Sequence, residues 1–149
     1  MKTDTLTCRY RIRATQAAFH QVLCGEQKKY FEANHATGQF AEGCQVNIRM
    51  QTKTSPKVVP AVMTVEKITP DAFWSRTVYE EGVIDQRYMY TTQPDGQLIV
   101  TYSEQSRFTK PQSTYSFMLA ALFYKFFFNH GVKKRLRYLE SACAHVSII

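Results

Sequence analysis

The chain has 149 residues, 44% of them hydrophobic and 21% charged, which is typical of one folded domain and excludes a disordered chain. Its formal net charge of +7 favours anionic partners but also fits an ordinary solvated basic surface. No apolar stretch reaches the roughly 20 residues that a membrane-spanning helix requires. We therefore expect a single domain over residues 1–149.

The cysteines and histidines are scattered along the chain. No CxxC pair or zinc-binding spacing is present, so the sequence predicts neither a metal site nor a cofactor. The N-terminus shows no secretory signal, which indicates a cytoplasmic chain with free thiols. The residues concerned are Cys8, Cys24, Cys44, Cys143, His20, His35, His130 and His145.

The first third of the chain alternates between strand and helix patterns. Thr5–Arg13 alternates apolar and polar residues, which predicts a half-buried strand. Thr15 can cap one or two helices that end near Ala33. A loop follows, and Gly43–Thr52 alternates again as a second strand. The segment 52–57 reads as an exposed turn.

Four more strands follow, with short turns between them. The hairpin signal at Gln93–Gln97 and the turn at Thr69–Asp71 favour an antiparallel meander. The predicted strands are Val58–Ile68, Phe73–Tyr79, Val83–Tyr90 and Leu98–Glu104.

The C-terminal region is predicted to be a long helix in two parts. Tyr115–Phe128 is almost entirely apolar, with Lys125 as its one charge. It is too short to span a membrane, so a buried helix is favoured over an interfacial one. Val132–Cys143 is amphipathic, and Gly131 between the parts predicts a kink or an interruption. The charged residues placed off its apolar stripe are Lys133, Lys134, Arg135, Arg137 and Glu140.

This order of elements resembles the helix-grip fold of the START-like, birch-pollen-allergen-like (SRPBCC) superfamily. Thr37-Gly38, VTYSE at 100–104 and KKRLRYLE at 133–140 are similar to a family of small bacterial proteins of unknown function. The resemblance implies an α+β fold with short helices after the first strand and a curved antiparallel sheet of six to seven strands around the C-terminal helix. A hydrophobic cavity often lies between them. It also implies that the first two strands are neighbours, which would allow a redox pair of Cys8 and Cys44.

The candidate ligand site is the space between the sheet and the apolar helix. Tyrosines combine apolar rings with hydroxyls that need partners when buried, which suits a pocket, although a filled core is the alternative. The predicted ligand-binding residues are Trp74, Tyr88, Tyr90, Tyr102, Tyr115, Leu119, Leu122, Phe123 and Phe126.

Two charged residues share the register of these aromatics. Arg76 continues the alternation of Trp74, and Glu104 continues that of Tyr102. If both point inward, they pair with each other or hold a polar ligand head, and otherwise they face solvent. They complete the set of predicted ligand-binding residues.

The sequence favours a module that binds a hydrophobic or amphipathic small molecule. The alternatives are an interaction or structural protein, including a homodimer, and a cyclase- or hydratase-type enzyme. The enzyme would need an inward polar pair, such as Arg76 and Glu104, and a carboxylate with a perturbed pKa. No catalytic residue is predicted. The basic stretch 133–137 is interpreted as a solvated helix face and not as a nucleic-acid site. Stable membrane insertion is not expected either.

Overall fold

A computed structural model describes residues 5–51, 58–108 and 128–146 of the chain. Within them, a six-stranded antiparallel sheet packs against two helices. The helices are α1 (Gln16–Ala33) and α2, whose described part is 128–143. The strands are β1 (Thr5–Ile12), β2 (Gln45–Gln51), β3 (Val58–Thr69), β4 (Ala72–Tyr79), β5 (Gly82–Thr92) and β6 (Leu98–Phe108).

The strands lie in the order β1-β6-β5-β4-β3-β2, and every neighbouring pair is antiparallel. The predicted meander is therefore confirmed for β2 to β6. Helix α1 connects β1 to β2 across the whole sheet. Its 18 residues span about 27 Å, and five strand spacings span about 24 Å, so the helix is long enough to bridge the two edges.

Both helices pack on one face of the sheet, which we call the inner face. The Phe19 ring of α1 lies 5.0 Å from the Tyr90 ring, and the Phe128 ring of α2 lies 6.1 Å from Tyr102. Residues at alternate positions of β6 are buried there, as period-two patterning requires. This strand continues four residues beyond its predicted end at Glu104.

The two helices follow their sequence signals. Thr15 caps α1 by accepting a hydrogen bond from the Ala18 amide at 3.1 Å, and of the one or two helices predicted up to Ala33 the structure has one continuous helix. Helix α2 passes through Gly131 without interruption. The amphipathic prediction for α2 is confirmed by its buried stripe of Phe128, Val132, Leu136, Leu139 and Cys143.

One implied neighbour relation is wrong. Strands β1 and β2 lie at opposite edges of the sheet, because β6 occupies the position beside β1. Cys8 belongs to β1 and Cys44 precedes β2, and both are free thiols. The redox pair that their expected proximity suggested therefore has no basis.

The apolar helix predicted at Tyr115–Phe128 lies outside the described residues, apart from Phe128. Tyr115, Leu119, Leu122, Phe123 and Phe126 consequently stay predictions. Among the helical residues that the structure does describe, none forms a segment both long and apolar enough to cross a membrane.

Candidate functional site

A cavity of about 490 Å³ lies over the inner face of the sheet. Strands β2 to β6 form its floor, Gln27 and Tyr30 of α1 line one side, and Arg135 of α2 lines another. This volume is within the usual range of small-molecule sites. The other lining residues are Ile48, Met50, Met63, Ser75, Thr77, Ile84, Gln86, Tyr88, Tyr102 and Glu104.

The cavity floor changes from apolar to polar across the sheet. Ile48, Met50 and Met63 line it on β2 and β3, whereas Tyr102 and Glu104 line it on β6. These strands are separated by up to four spacings, or about 19 Å. The cavity therefore offers different surroundings to the two ends of an elongated molecule.

A row of polar side chains crosses the floor at one level. Ser75, Gln86 and Glu104 are direct register partners on β4, β5 and β6, so their side chains project side by side from the inner face. The Ser75 hydroxyl donates to Gln86 Oε1 at 3.4 Å. Such a row can donate and accept hydrogen bonds at several neighbouring points.

Glu104 is held at the polar end of the cavity. Its residue is 7% exposed, and its Oε2 accepts a hydrogen bond of 2.7 Å from the Tyr102 hydroxyl. Burial, followed by the negative charge of Glu104, holds the pKa of Tyr102 well above its ordinary value. Tyr102 is therefore a neutral hydrogen-bond donor near neutral pH.

Arg135 brings a positive charge to the same end. Its guanidinium carbon lies 4.5 Å from the Tyr102 ring centre and 5.7 Å from that of Tyr88, within the range of cation–π contacts. Arg135 is exposed as a residue, although its guanidinium lies over the Tyr102 ring. This partial burial lowers the pKa of Arg135, but interactions with Tyr88, Tyr102 and Glu104 raise it by more. Arg135 therefore stays charged beside Glu104.

The structure places the predicted strand tyrosines on the inner face. Tyr88 and Tyr102 line the cavity, with ring centres 4.6 Å apart, and Glu104 lies beside them as predicted. Tyr90 is fully buried elsewhere, against Phe19 and His20 of α1. Binding of a ligand by these residues stays a prediction.

The inward orientation expected for Arg76 and Trp74 is wrong. Phe73 pairs with Tyr88 on the inner face, so Trp74 and Arg76 project from the opposite, outer face. There the Trp74 ring lies between Lys67 and Arg87, whose charged groups are 4.4 and 4.2 Å from its centre. The predicted pairing of Arg76 with Glu104 is therefore wrong, so these two residues are not the inward polar pair suggested for the cyclase-type alternative.

The misassignment has a physical cause in β4. Its outer positions carry apolar Trp74 and Val78, whereas its inner positions include the buried hydroxyls of Ser75 and Thr77. Hydrophobic alternation therefore indicated the wrong face. The signal that was missed is that Phe73, Ser75 and Thr77 lie at alternate positions of β4 and so share one face. This inner face is polar at Ser75 and Thr77 because these two residues line the cavity.

Arg135 was also missed. It was placed off the apolar stripe of α2, yet it lies three residues after Val132 and four before Leu139. Residues at these spacings share a helix face, so its guanidinium can reach the sheet. This spacing makes Arg135 a candidate for the sheet-facing side of α2, but Glu140, four residues after Leu136 and three before Cys143, has the same relation to the stripe.

A second polar cluster joins α1 to β5, away from the cavity. The Tyr90 hydroxyl and His20 Nδ1 form a short hydrogen bond, and Cys24 Sγ lies 3.7 Å from His20 Nε2. Burial lowers the pKa of His20 and raises that of Cys24 to about 11. A thiol that stays protonated is a poor nucleophile, so this cluster has the character of helix packing.

Within residues 5–51, 58–108 and 128–146, His, Cys, Asp and Glu side chains form no group of three that could hold a metal ion. Large exposed apolar side chains lie on five different elements of the described structure. They are Tyr30, Val58, Val78, Met89 and Tyr138. A homodimer stays a prediction.

Comparison with known proteins identifies the fold. No family model and no curated protein sequence matches the chain. Among solved structures, the protein TTHA0849 from Thermus thermophilus matches with a TM-score of 0.65 and 12% identity, covering 97% of this chain and 99% of that one. Ara h 8.0201 matches with a TM-score of 0.59 and 8% identity, covering 95% and 98%.

A protein of unknown function from Staphylococcus aureus, SA2116, also matches, with a TM-score of 0.59, 9% identity and coverage of 95% and 96%. These likenesses extend over nearly the whole of each chain. Together with the six-stranded sheet, α1 and α2, they show the helix-grip fold that the birch-pollen-allergen-like proteins share. Identities this low show the fold alone and transfer no activity.

Proposed function

We propose that this protein binds a small amphipathic molecule in the cavity between the sheet and the helices. The observation that carries the proposal is a 490 Å³ space whose floor passes from Met and Ile side chains to a row of polar groups. A filled core would bury apolar residues at these positions. Buried hydroxyls at Ser75 and Thr77 instead suit a surface that meets a partly polar ligand.

The likeness to Ara h 8.0201 and to a ginseng major latex-like protein supports the proposal at the level of the fold. Helix-grip proteins use the space under their helices for apolar ligands, and this chain has a space of suitable size there. The ligand's identity does not follow from the fold, because sites are set by individual residues.

Binding can be tested with a neutral fluorescent apolar probe, N-phenyl-1-naphthylamine, and one matched pair of variants. Ile84→Trp on β5 would fill the cavity, whereas Val83→Trp would place the same bulk on the outer face. We expect wild type and Val83→Trp to bind one probe each, and Ile84→Trp to bind about tenfold or more weakly. Native mass spectrometry of protein from its own host would report the natural ligand.

Urea denaturation must first show that Ile84→Trp folds. If it does not, Thr77→Met on the same cavity wall replaces it, with Val78→Met on the outer face as its control. Failure of wild type to bind the probe, together with no co-purifying ligand, would overturn the proposal. Equal binding by the cavity and outer-face variants would also overturn it, because the probe would then bind elsewhere.

A further inference from the structure

The polar end of the cavity carries two opposite charges close together. Among the described lining residues, Glu104 and Arg135 are the charged ones, and the remaining polar groups are hydroxyls and amides. Tyr102 links the pair, since its hydroxyl donates to Glu104 and its ring lies under the Arg135 guanidinium. The formal charge of this group is therefore zero.

A charged ligand head gains little from such a pair. A carboxylate drawn to Arg135 would be repelled by Glu104, and an ammonium drawn to Glu104 would be repelled by Arg135. The two Coulombic contributions largely offset each other at similar distances. The cost of removing the charged head from water then stays uncompensated, and this cost is the largest contribution for a buried ion.

A hydroxyl head does not have this conflict. It can donate one hydrogen bond and accept two, whereas Arg135 only donates and the Glu104 carboxylate only accepts. Gln86, one strand away in the same row, both donates and accepts. The row can therefore bind one or more neutral hydroxyls without leaving either charge unpaired.

From this arrangement we infer that the polar end is a head-group site for a neutral, hydroxyl-bearing amphiphile, whose apolar part lies over Ile48, Met50 and Met63. The inference rests on the proposed ligand-binding function and adds the chemical class of the ligand. Glu104 and Arg135 act as a matched pair that selects against acids and amines of the same shape.

Three probes of equal chain length test this selectivity: 1-decanol, decanoate and decylammonium, titrated at pH 7 in competition with the naphthylamine probe. For wild type we expect decanol to bind about tenfold more tightly than either ion. Glu104→Gln should shift the preference toward decanoate by about tenfold, and Arg135→Gln should shift it toward decylammonium. Arg137→Gln, at another exposed position of the same helix that does not line the cavity, is the charge-matched control and should shift neither.

The outcomes separate the inference from the proposed function. Binding of none of the three probes would overturn both. Binding of decanoate or decylammonium to wild type as tightly as decanol would overturn the head-group inference alone. It would also be overturned if Glu104→Gln and Arg135→Gln left the order of the three probes unchanged while folding normally, as judged by urea denaturation.

Discussion

Two buried carboxylates, Asp85 on the outer face and Glu104 on the inner face, have opposite surroundings. Asp85 is 5% exposed, and each of its oxygens meets a guanidinium, from Arg76 at 2.7 Å and Arg107 at 2.8 Å. Glu104 is equally buried but faces a cavity, with a tyrosine hydroxyl on one oxygen and Arg135 nearby. A buried acid therefore occurs both in an ion-pair cluster on the outer face and in the candidate site on the inner face.

What differs is the geometry of the partners. The Asp85 cluster is satisfied within the sheet surface, since Arg76 and Arg107 come from the neighbouring strands β4 and β6 and bind the carboxylate directly. The Glu104 group instead spans the sheet and a helix and lines the cavity of about 490 Å³, whereas the pocket beside Asp85 has about 260 Å³. We expect substitutions to act on stability at Asp85 and on ligand preference at Glu104.

The largest expected effect is that of Asp85→Asn. It leaves Arg107 without its carboxylate and leaves Arg76 with Glu66 at 3.3 Å as its remaining partner. The free energy of unfolding should fall by about 2 kcal/mol, less than for a fully buried pair because both arginines are partly exposed. Glu104→Gln should cost under about 1 kcal/mol, because the amide oxygen still accepts from Tyr102. Urea denaturation at pH 7 measures both, with Glu32→Gln on the exposed side of α1 as control. A larger loss at Glu104 than at Asp85 would contradict the comparison.

A smaller effect is expected for Tyr102→Phe. Loss of the hydrogen bond to Glu104 should cost about 1 kcal/mol at pH 7. The pKa of Tyr102 is raised in the folded state. The neutral Tyr102 hydroxyl therefore contributes fully to stability below the unfolded-state pKa of about 10, and this stability is lost as the pH rises from there toward the folded-state pKa. Urea denaturation from pH 9 to 11 should show a shallower decline for Tyr102→Phe than for wild type. Tyr138→Phe, at an exposed position of α2, is the control, and equal slopes for the two variants would refute the assignment.

The smallest effect concerns salt. Arg107 is 52% exposed, so its pair with Asp85 is partly screened, and Arg107→Gln should cost about 0.5–1 kcal/mol at low ionic strength. That cost should fall in 1 M NaCl, where the screening length is about 3 Å. The cost of Tyr102→Phe should change less, because its hydrogen bond is buried. Urea denaturation at the two salt concentrations tests this, and a salt-independent cost at Arg107 would argue against a screened ion pair.

The helices, strands and turns could be predicted from the sequence. The signals used, which were strand alternation, turn residues and the helix cap at Thr15, depend on interactions between residues close together in the chain. The hairpin at Gln93–Gln97 is one example: Gly96 has a φ of 87°, and the Gln93 amide bonds the Gln97 carbonyl at 2.7 Å. Strand order was less accessible. The placement of β6 beside β1 depends on contacts about 90 residues apart, which no local pattern encodes.

The candidate site was predictable only in part. Tyr102 and Glu104 follow the alternation of β6, where every second residue from Leu98 to Ser106 is buried. Tyr88 and Tyr90 alternate in the same way at the end of β5. In β4 the polarity of the two faces is reversed, so the sequence predicted that Arg76 points inward and pairs with Glu104. In the structure Arg135 approaches Glu104, and Arg76 pairs with Asp85 on the outer face. When a strand lines a cavity, its inner face can be as polar as its outer face, and the sequence pattern then no longer shows which face points inward.

The sheet order also bears on self-association. The described sheet is open, and its terminal strands β1 and β2 present one side without a neighbouring strand. Such edges can recruit a strand from another molecule and begin aggregation. Arg9 and Arg11 on β1 and Arg49 on β2 are exposed there, and positive charges on both borders repel a second copy of the same edge. We therefore expect part of the chain's basic character to disfavour edge-to-edge pairing between two copies.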